Sequence, residues 1–330
     1  MQSPRVLQTR PVEGGAIGVL KQEEEGRTIS STSATVVDIE EDCDLSFICH
    51  NSLCSTMSGP GFPKLWSGAR ANVGLRVLTG KFLYEVRVER HLEVTHEDAG
   101  AATVDTVHLC RVGWSTRRAA THALGEDTEG WGFGGTARKS HAGSFEAYGE
   151  RYGVGDVISC AIDLETGAAS FAKNGQPLGV AFTIDPAAIE RGLFPHILLK
   201  NVEVHVSFAA RLSSSFPDYE PMQSAEALGA CTARVPPPPR PSLVMLVGLP
   251  ATGKSTWAEL HMKQHPEKRY TLLSTDNILE QMKVAGLTRQ RNYSERWEQL
   301  MPEASSVLNK LISVAASRKR NFLWDQVACI

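Results

Sequence analysis

The residues best suited to chemistry lie late in the chain, in "VMLVGLPATGKSTW" at positions 244–257. Gly248, Gly253, Lys254 and Ser255 meet the pattern G-x-x-x-x-G-K-S without a mismatch. Two glycines let a short loop turn tightly enough to aim several N–H groups at one anion, and a helix starting there adds its positive end. Lys254 is then placed for the β and γ phosphates of a nucleotide and the Ser255 hydroxyl for Mg²⁺, with Thr256 beside it in the first turn. The expected ligands are ATP and Mg, since no N-K-x-D guanine signature follows. Asp325 closes the apolar run "NFLWD", where a carboxylate can hold the metal's water shell beside Ser255; taken alone it reads equally as a surface residue at a strand end. Asp276, in "LLSTDNIL", follows another apolar run and can act as a base toward an attacking hydroxyl. Ser274, Thr275, Asp276 and Asn277 are all helix N-cap types, so a cap accounts for the same aspartate.

These residues need a parallel sheet beneath them. "LVMLVG" from 243 is a continuous apolar strand of the buried kind, and the helix after it should run from Lys254 to just before Pro266. "YTLLST" (270–275) reads as a second strand, "DNILEQMKVAG" as a helix closed by Gly286, and "NFLWD" (321–325) as a third strand. Between them "EASSVLNKLISVAASRKR" (303–320) predicts a helix with Val307, Leu308, Leu311, Ile312 and Ala315 toward the sheet. The order is βαβαβ, the start of a P-loop α/β domain over 242–330.

Residues 12–211 have a different period. "GKFLYEVRVER" (80–90) alternates with Phe82, Tyr84, Val86 and Val88 on one face, and "VDTVHLCRVGWS" (104–115) with Val107, Leu109 and Val112. In 156–182 a strand, a turn at Glu165–Gly167, a second strand, Asn174-Gly175 and a third strand follow one another. Asn-Gly between such runs is a strong hairpin signal, because both residues tolerate positive φ. "LFPHILLKNVEVHVSF" (193–208) adds two more strands, and the spacing predicts an antiparallel β-sandwich. Trp66, Trp114, Trp131 and Phe133 read as core or as the lining of a recognition pocket, and loops near 91–103 and 116–130 as recognition loops. Residues 1–11 are expected to be disordered. Residues 212–241 read as a Pro-rich linker, in which Pro236–Pro241 favours polyproline II and suits an SH3- or WW-type partner as well as a spacer.

"GARANVGLRVLTGKFLYEVRV", "RVGWS", "LGEDTEGWGFGG", "YGVGDVISCAIDLETGAASFAKNGQPLGVAF" and "LFPHILLKNVEVHVSF" together resemble a SPRY (B30.2-type) domain. "FPKLWSGAR" at 62–70, and a P-loop unit ending in "KRNFLWDQ", narrow the resemblance to the heterogeneous nuclear ribonucleoprotein U family over about residues 20–326. That resemblance implies a nuclear ribonucleoprotein component concerned with RNA processing or splicing, with SPRY as a protein-interaction module and ATP bound without turnover. It implies RNA as a partner, although the Arg/Gly-rich RNA-binding tail and the SAP segment of the family are not in this sequence. The Asp276 position is often not acidic in that family, which leaves the base role without support from it. The alternative is an ATP-dependent 5′-hydroxyl polynucleotide kinase using Asp276. In such kinases a later lid supplies arginines; here "VACI" follows "DQ" and the sequence stops at Ile330, so the P-loop domain is expected to be incomplete, from a fragment or an alternative transcript. The fold class expected is therefore two-domain: an antiparallel β-sandwich (SPRY/B30.2), then an incomplete P-loop α/β domain.

Composition agrees with this. Of 330 residues, 42% are hydrophobic and 22% charged, as in globular proteins. No apolar run approaches the roughly 18 residues of a membrane span, and the N-terminus lacks a secretory core. Seven cysteines without a paired spacing suit a reducing compartment as small hydrophobes. The net charge of −3 is uneven: residues 1–239 carry 21 Lys+Arg against 29 Asp+Glu, −8, and residues 240–330 carry 13 against 8, +5. Any polyanion contact is thus expected at the C-terminal part or on a segment outside this sequence.

Overall fold

The structure is a computed structural model and describes residues 10–11, 18–23, 37–95, 107–230, 233–234, 241–249, 251–282 and 297–325. It divides into two compact units, one formed by 33–235 and 281–296 and the other by 1–32, 236–280 and 297–330.

The first unit is an antiparallel sandwich. One sheet runs, in spatial order, Ser144–Ala147, Arg138–His141, Gly130–Gly134, Leu109–Ser115, Phe194–Lys200, Ser67–Arg70 and Asp42–Cys43. The other runs Gln176–Thr183, Ala168–Lys173, Val157–Asp163, Lys81–His91, Val202–Ser207, Leu53–Thr56 and Phe47–His50. Phe82, Tyr84, Val86 and Val88 face the core as expected, and the Tyr84 ring meets Trp114 of the opposite sheet edge-on at 5.3 Å. The Tyr84 hydroxyl donates to the Gly113 carbonyl at 2.6 Å and accepts from the Gly113 N–H at 2.9 Å, so a buried polar group crosses the core satisfied. Asn174 and Gly175 both have positive φ, 50° and 86°, and join the strands Ala168–Lys173 and Gln176–Thr183.

Two details differ from the alternation read above. In Leu109–Ser115 the core face is Cys110, Val112 and Trp114; Leu109 lies on the other face, against Trp66, Leu124 and Leu198. A period of two cannot put 109 and 112 on one side. Cys49 and Cys54, opposite each other in the hairpin with Cα atoms 4.1 Å apart, are joined by a disulfide, whereas Cys43, Cys110 and Cys160 are buried and unbridged. The hairpin register, which sequence spacing does not reveal, creates that pair.

The second unit has a sheet in the order Arg10–Pro11, Gly18–Glu23, Ser242–Val247, Phe322–Asp325 and Thr271–Leu273. The last three strands are parallel. Gly18–Glu23, inside the span read from sequence as sandwich, pairs antiparallel with Ser242–Val247. It takes the edge of Ser242–Val247 opposite Phe322–Asp325. The helices are Lys254–Gln264, Thr275–Gln281 and Trp297–Ser317. The last begins six residues before the expected start, with Pro302 inside it, and buries Val307, Leu308, Leu311 and Ala315. Gly286 and, apart from Pro241, the proline run lie outside the described residues. Among the described residues no helix is long and apolar enough to cross a membrane.

Candidate functional site

The strand Ser242–Val247 carries Val244 and Leu246 into a core shared with Ala258 and Leu323, which fixes where the chain emerges at Gly248. The helix Lys254–Gln264 starts on Gly253, which adopts a left-handed conformation, φ 86° and ψ 15°. An ideal Cβ at Gly253 would have no atom within 4 Å, so its conformation rather than space calls for glycine. Ala251 is also left-handed, at φ 62°. No side chain caps the helix, and its first backbone bond runs from Trp257 N–H to the Gly253 carbonyl. The N–H groups of Lys254, Ser255 and Thr256 are therefore the donors of an uncapped helix start.

Lys254 has a relative exposure of only 5%. Its ammonium donates to the Gly248 carbonyl at 3.0 Å and to the Leu249 carbonyl at 2.8 Å, lying across the mouth of the loop. Thr252 donates to the same Leu249 carbonyl at 2.8 Å. Two of three ammonium protons are used within the loop, which leaves one for an anion. Ser255 and Thr256 are exposed. Asp325 pairs in register with Leu246 on the neighbouring parallel strand and is half-buried, so it ends its strand on the same side as the loop. Asp276 is the second residue of the helix Thr275–Gln281. The Ser274 hydroxyl accepts from Asn277 N–H at 3.1 Å, so serine, not the aspartate, makes that cap bond. The strand before Asp276 is two places from Ser242–Val247 in the sheet, about 10 Å across. Gly248, Gly253, Lys254, Ser255, Thr256 and Asp325 thus gather at one sheet end, with Asp276 set laterally.

These groups suit a phosphate chain: a desolvated ammonium and an uncapped helix start converge on one small loop. Among the described residues no group of three or more His, Cys, Asp or Glu side chains could hold a metal. A Mg²⁺ bound with phosphates would keep most of its waters and need one hydroxyl and one carboxylate from the protein, which Ser255 and Asp325 would supply.

In the sandwich, Trp66, Trp114, Trp131 and Phe133 are all buried core residues. Trp131 also stacks on His141, 5.0 Å between centroids, at the edge of a cavity of about 380 Å³ bordered by Thr128, Glu129, Thr183 and Arg191. The loop 116–129 beside it is held from below. Arg70 donates to the carbonyls of Thr116 and Ala119 at 2.7 and 2.6 Å, and Arg111 to that of Leu124 at 2.5 Å. The His196 Nε2–H donates to the Thr121 carbonyl at 2.8 Å, while its Nδ1 accepts from the Ser115 hydroxyl at 2.8 Å. Burial first, and the Arg70 cation second, depress the His196 pKa to about 3, so it is neutral. Arg70 also pairs with Asp42 at 2.9 Å, and despite the cost of burial the cation holds that carboxyl below its usual range. Sequence reasoning missed Arg70, Arg111 and His196, whose partners in the loop lie 13 to 75 residues away. The other expected loop falls mostly at 96–106, outside the described residues.

Residues 82–211 match the SPRY domain family, and residues 243–329 match an AAA domain family. Heterogeneous nuclear ribonucleoprotein U-like protein 2 of Homo sapiens is 37% identical over 273 residues, 80% of this chain and 35% of that protein. The protein of the same name in Mus musculus matches to the same extent. ATP-dependent RNA helicase Ddx1 of Drosophila melanogaster is 39% identical over 170 residues, 52% of this chain and 20% of the helicase. The chain thus spans about a third of the length of the ribonucleoprotein relatives, 35%. The resemblance to the ribonucleoprotein U-like family, read from the motifs, is borne out along most of the chain.

Proposed function

We propose that the protein is a nuclear, RNA-associated interaction protein of the RNA-processing kind, whose P-loop unit binds ATP with Mg and holds it without turnover. The names of its relatives, a nuclear ribonucleoprotein and an ATP-dependent RNA helicase, support the RNA association. The SPRY match supports a protein partner at the sandwich, and Pro236–Pro241 offers a second, SH3- or WW-type contact.

The nucleotide part is carried by one observation: Lys254 is buried across the loop mouth with a proton left to donate. In this reading Lys254 and the N–H groups of 254–256 bind the β and γ phosphates. Ser255 would hold Mg²⁺ directly and Asp325 through water, and the bound ion would supply neutralisation of phosphate charge. All of these groups grip a ground state. Turnover requires further charge aimed at the transferring phosphoryl, where one arginine is worth about 10³–10⁵ in kcat.

Calorimetric titration with Mg·ATP tests the site: Lys254→Ala should weaken binding at least about tenfold, about 1.4 kcal/mol. Equal affinity in both proteins removes the loop from the reading. The second reading is a 5′-hydroxyl kinase with Asp276, at the head of the helix Thr275–Gln281, as base. Radiolabelled transfer to a 5′-hydroxyl oligonucleotide decides. Product that vanishes in Asp276→Asn makes it an enzyme; no product is the expected result.

A further inference from the structure

The phosphate loop lies at the C-terminal ends of the parallel strands. Their N-terminal ends form a second edge, entered by the turns at 266–270 and 318–321. Parallel pairing sets Thr271 against Phe322 and so brings the two turns side by side. Asn321, 1% exposed, locks them. Its side-chain oxygen accepts from the Ser242 N–H at 2.8 Å and hydroxyl at 2.9 Å, and its amide donates to the Lys268 carbonyl at 2.5 Å. Its backbone carbonyl accepts from Thr271 N–H at 2.8 Å. A buried amide thus ties together the entries of all three strands.

The turns it ties carry Lys268 and Arg269 from one side and Arg318, Lys319 and Arg320 from the other, with Lys263 at the end of the preceding helix. Against these six cations residues 261–270 and 316–321 hold one carboxylate, Glu267, which lies 3.4 Å from His265. Lys263, Lys268 and Lys319 are exposed. At the end of that helix His261 meets His265 at 4.6 Å and Tyr270 at 5.4 Å, so half-buried rings lie in the same helix end and turn that carry Lys263, Lys268 and Arg269.

A helix C-terminus favours cations, and that alone accounts for Arg318, Lys319 and Arg320. It does not account for Lys268 and Arg269, brought in by a different turn, nor for their concentration in a chain of net charge −3. A basic edge bordered by aromatic rings is the footprint of a single-stranded nucleic acid, whose phosphates pair with the cations and whose bases stack. We infer that this edge, remote from the phosphate loop, is a contact surface for single-stranded RNA. The inference rests on the RNA-associated reading above and adds the residues that make the contact.

The test is anisotropy of a short labelled oligouridine with the full chain, at about 50 and 200 mM salt. A triple variant, Lys268→Ala, Arg318→Ala and Lys319→Ala, should lose at least about tenfold in affinity at the lower salt. Its log–log salt slope should fall by about 2, from about 0.7 per phosphate contact. Mg·ATP affinity should not change, since the loop is at the opposite strand ends. Should the triple variant melt early, Lys263→Ala with Lys319→Ala, both exposed, should still lower the slope by about 1. Equal RNA affinity and slope in variant and wild type overturns the edge and leaves the RNA reading standing. A wild-type chain that binds no RNA defeats both. Binding to phosphatidylserine vesicles that the variant loses, with RNA binding unmoved, assigns the edge to lipid and overturns it too.

Discussion

The loop 116–129 of the sandwich and the loop 248–253 of the P-loop unit both carry candidate chemistry, yet they are held in opposite ways. The first rests on side chains buried beneath it: Arg70, Arg111 and His196 spend their hydrogen bonds on its carbonyls. The second is held largely by local backbone geometry and by Lys254, the residue expected to meet the ligand. Buried polar groups in the sandwich fix one conformation without a ligand, because leaving them unpaired would be costly. Beside the phosphate loop Ser255 and Thr256 are exposed at the start of the helix. One loop is preorganised by side chains of the interior beneath it, the other by its own backbone and side chains.

The strongest way to break that contrast is to remove Arg70. Arg70→Met strips two carbonyls of their donor and leaves Asp42, its ion-pair partner, without its cation. Breaking a buried pair from one side costs about 3–5 kcal/mol. For a unit of this size that is a fall of about 10 °C in Tm by calorimetry. Mg·ATP affinity should stay at its wild-type value. A loss under about 1 kcal/mol would mean that the loop does not depend on its floor.

His196 gives a smaller effect with a definite sign. Above pH 6.5 the imidazole is neutral in folded and unfolded chains alike, and contributes no pH dependence. Below it the unfolded chain takes up a proton that the folded one, with a pKa of about 3, refuses. Stability should therefore fall as pH drops from 6.5 toward 3, by up to about 1.4 kcal/mol per unit from this group. His196→Gln should lose that part of the slope in urea titrations at pH 6.5 and 4.5. Identical slopes would show that the ring titrates freely in the fold.

The two loops were also unequally legible in the sequence. Gly248, Gly253, Lys254 and Ser255 are neighbours, so eight residues announce the loop, its helix and the apolar strand before it. Arg70 and Thr116 are 46 residues apart, and nothing local joins them. The sandwich strands were readable because burial on one face forces alternation, and Asn174-Gly175 because its turn needs positive φ. The error of phase at Leu109 arose where both faces are apolar: Trp66, Leu124 and Leu198 cover the second one. In the P-loop unit the excess of basic residues was visible as a number. That they share an edge depended on Thr271 meeting Phe322 and on Asn321, which are facts of pairing.

The smallest expected effect compares glycines. Gly68 lies under the sandwich loop, and an added Cβ would come 1.7 Å from the Thr121 carbonyl oxygen, a backbone atom that cannot give way without moving the loop. Gly253 in the phosphate loop has no atom within 4 Å of the same position, only a φ of 86°. Gly253→Ala therefore meets the left-handed penalty of an L-residue alone, about 1 kcal/mol, and should melt close to wild type. The phosphate loop can absorb the change by relaxing, since Lys254 and Thr252 hold it through flexible side chains. Its cost should reappear in the bound state, where the loop must close on phosphates: Mg·ATP affinity should fall by about as much as stability, a factor of about five. A loss of more than about 3 kcal/mol in melting would show a loop as tightly built as the one over Gly68. The phosphate loop would then be preorganised by its interior, and the contrast between the two units would fail.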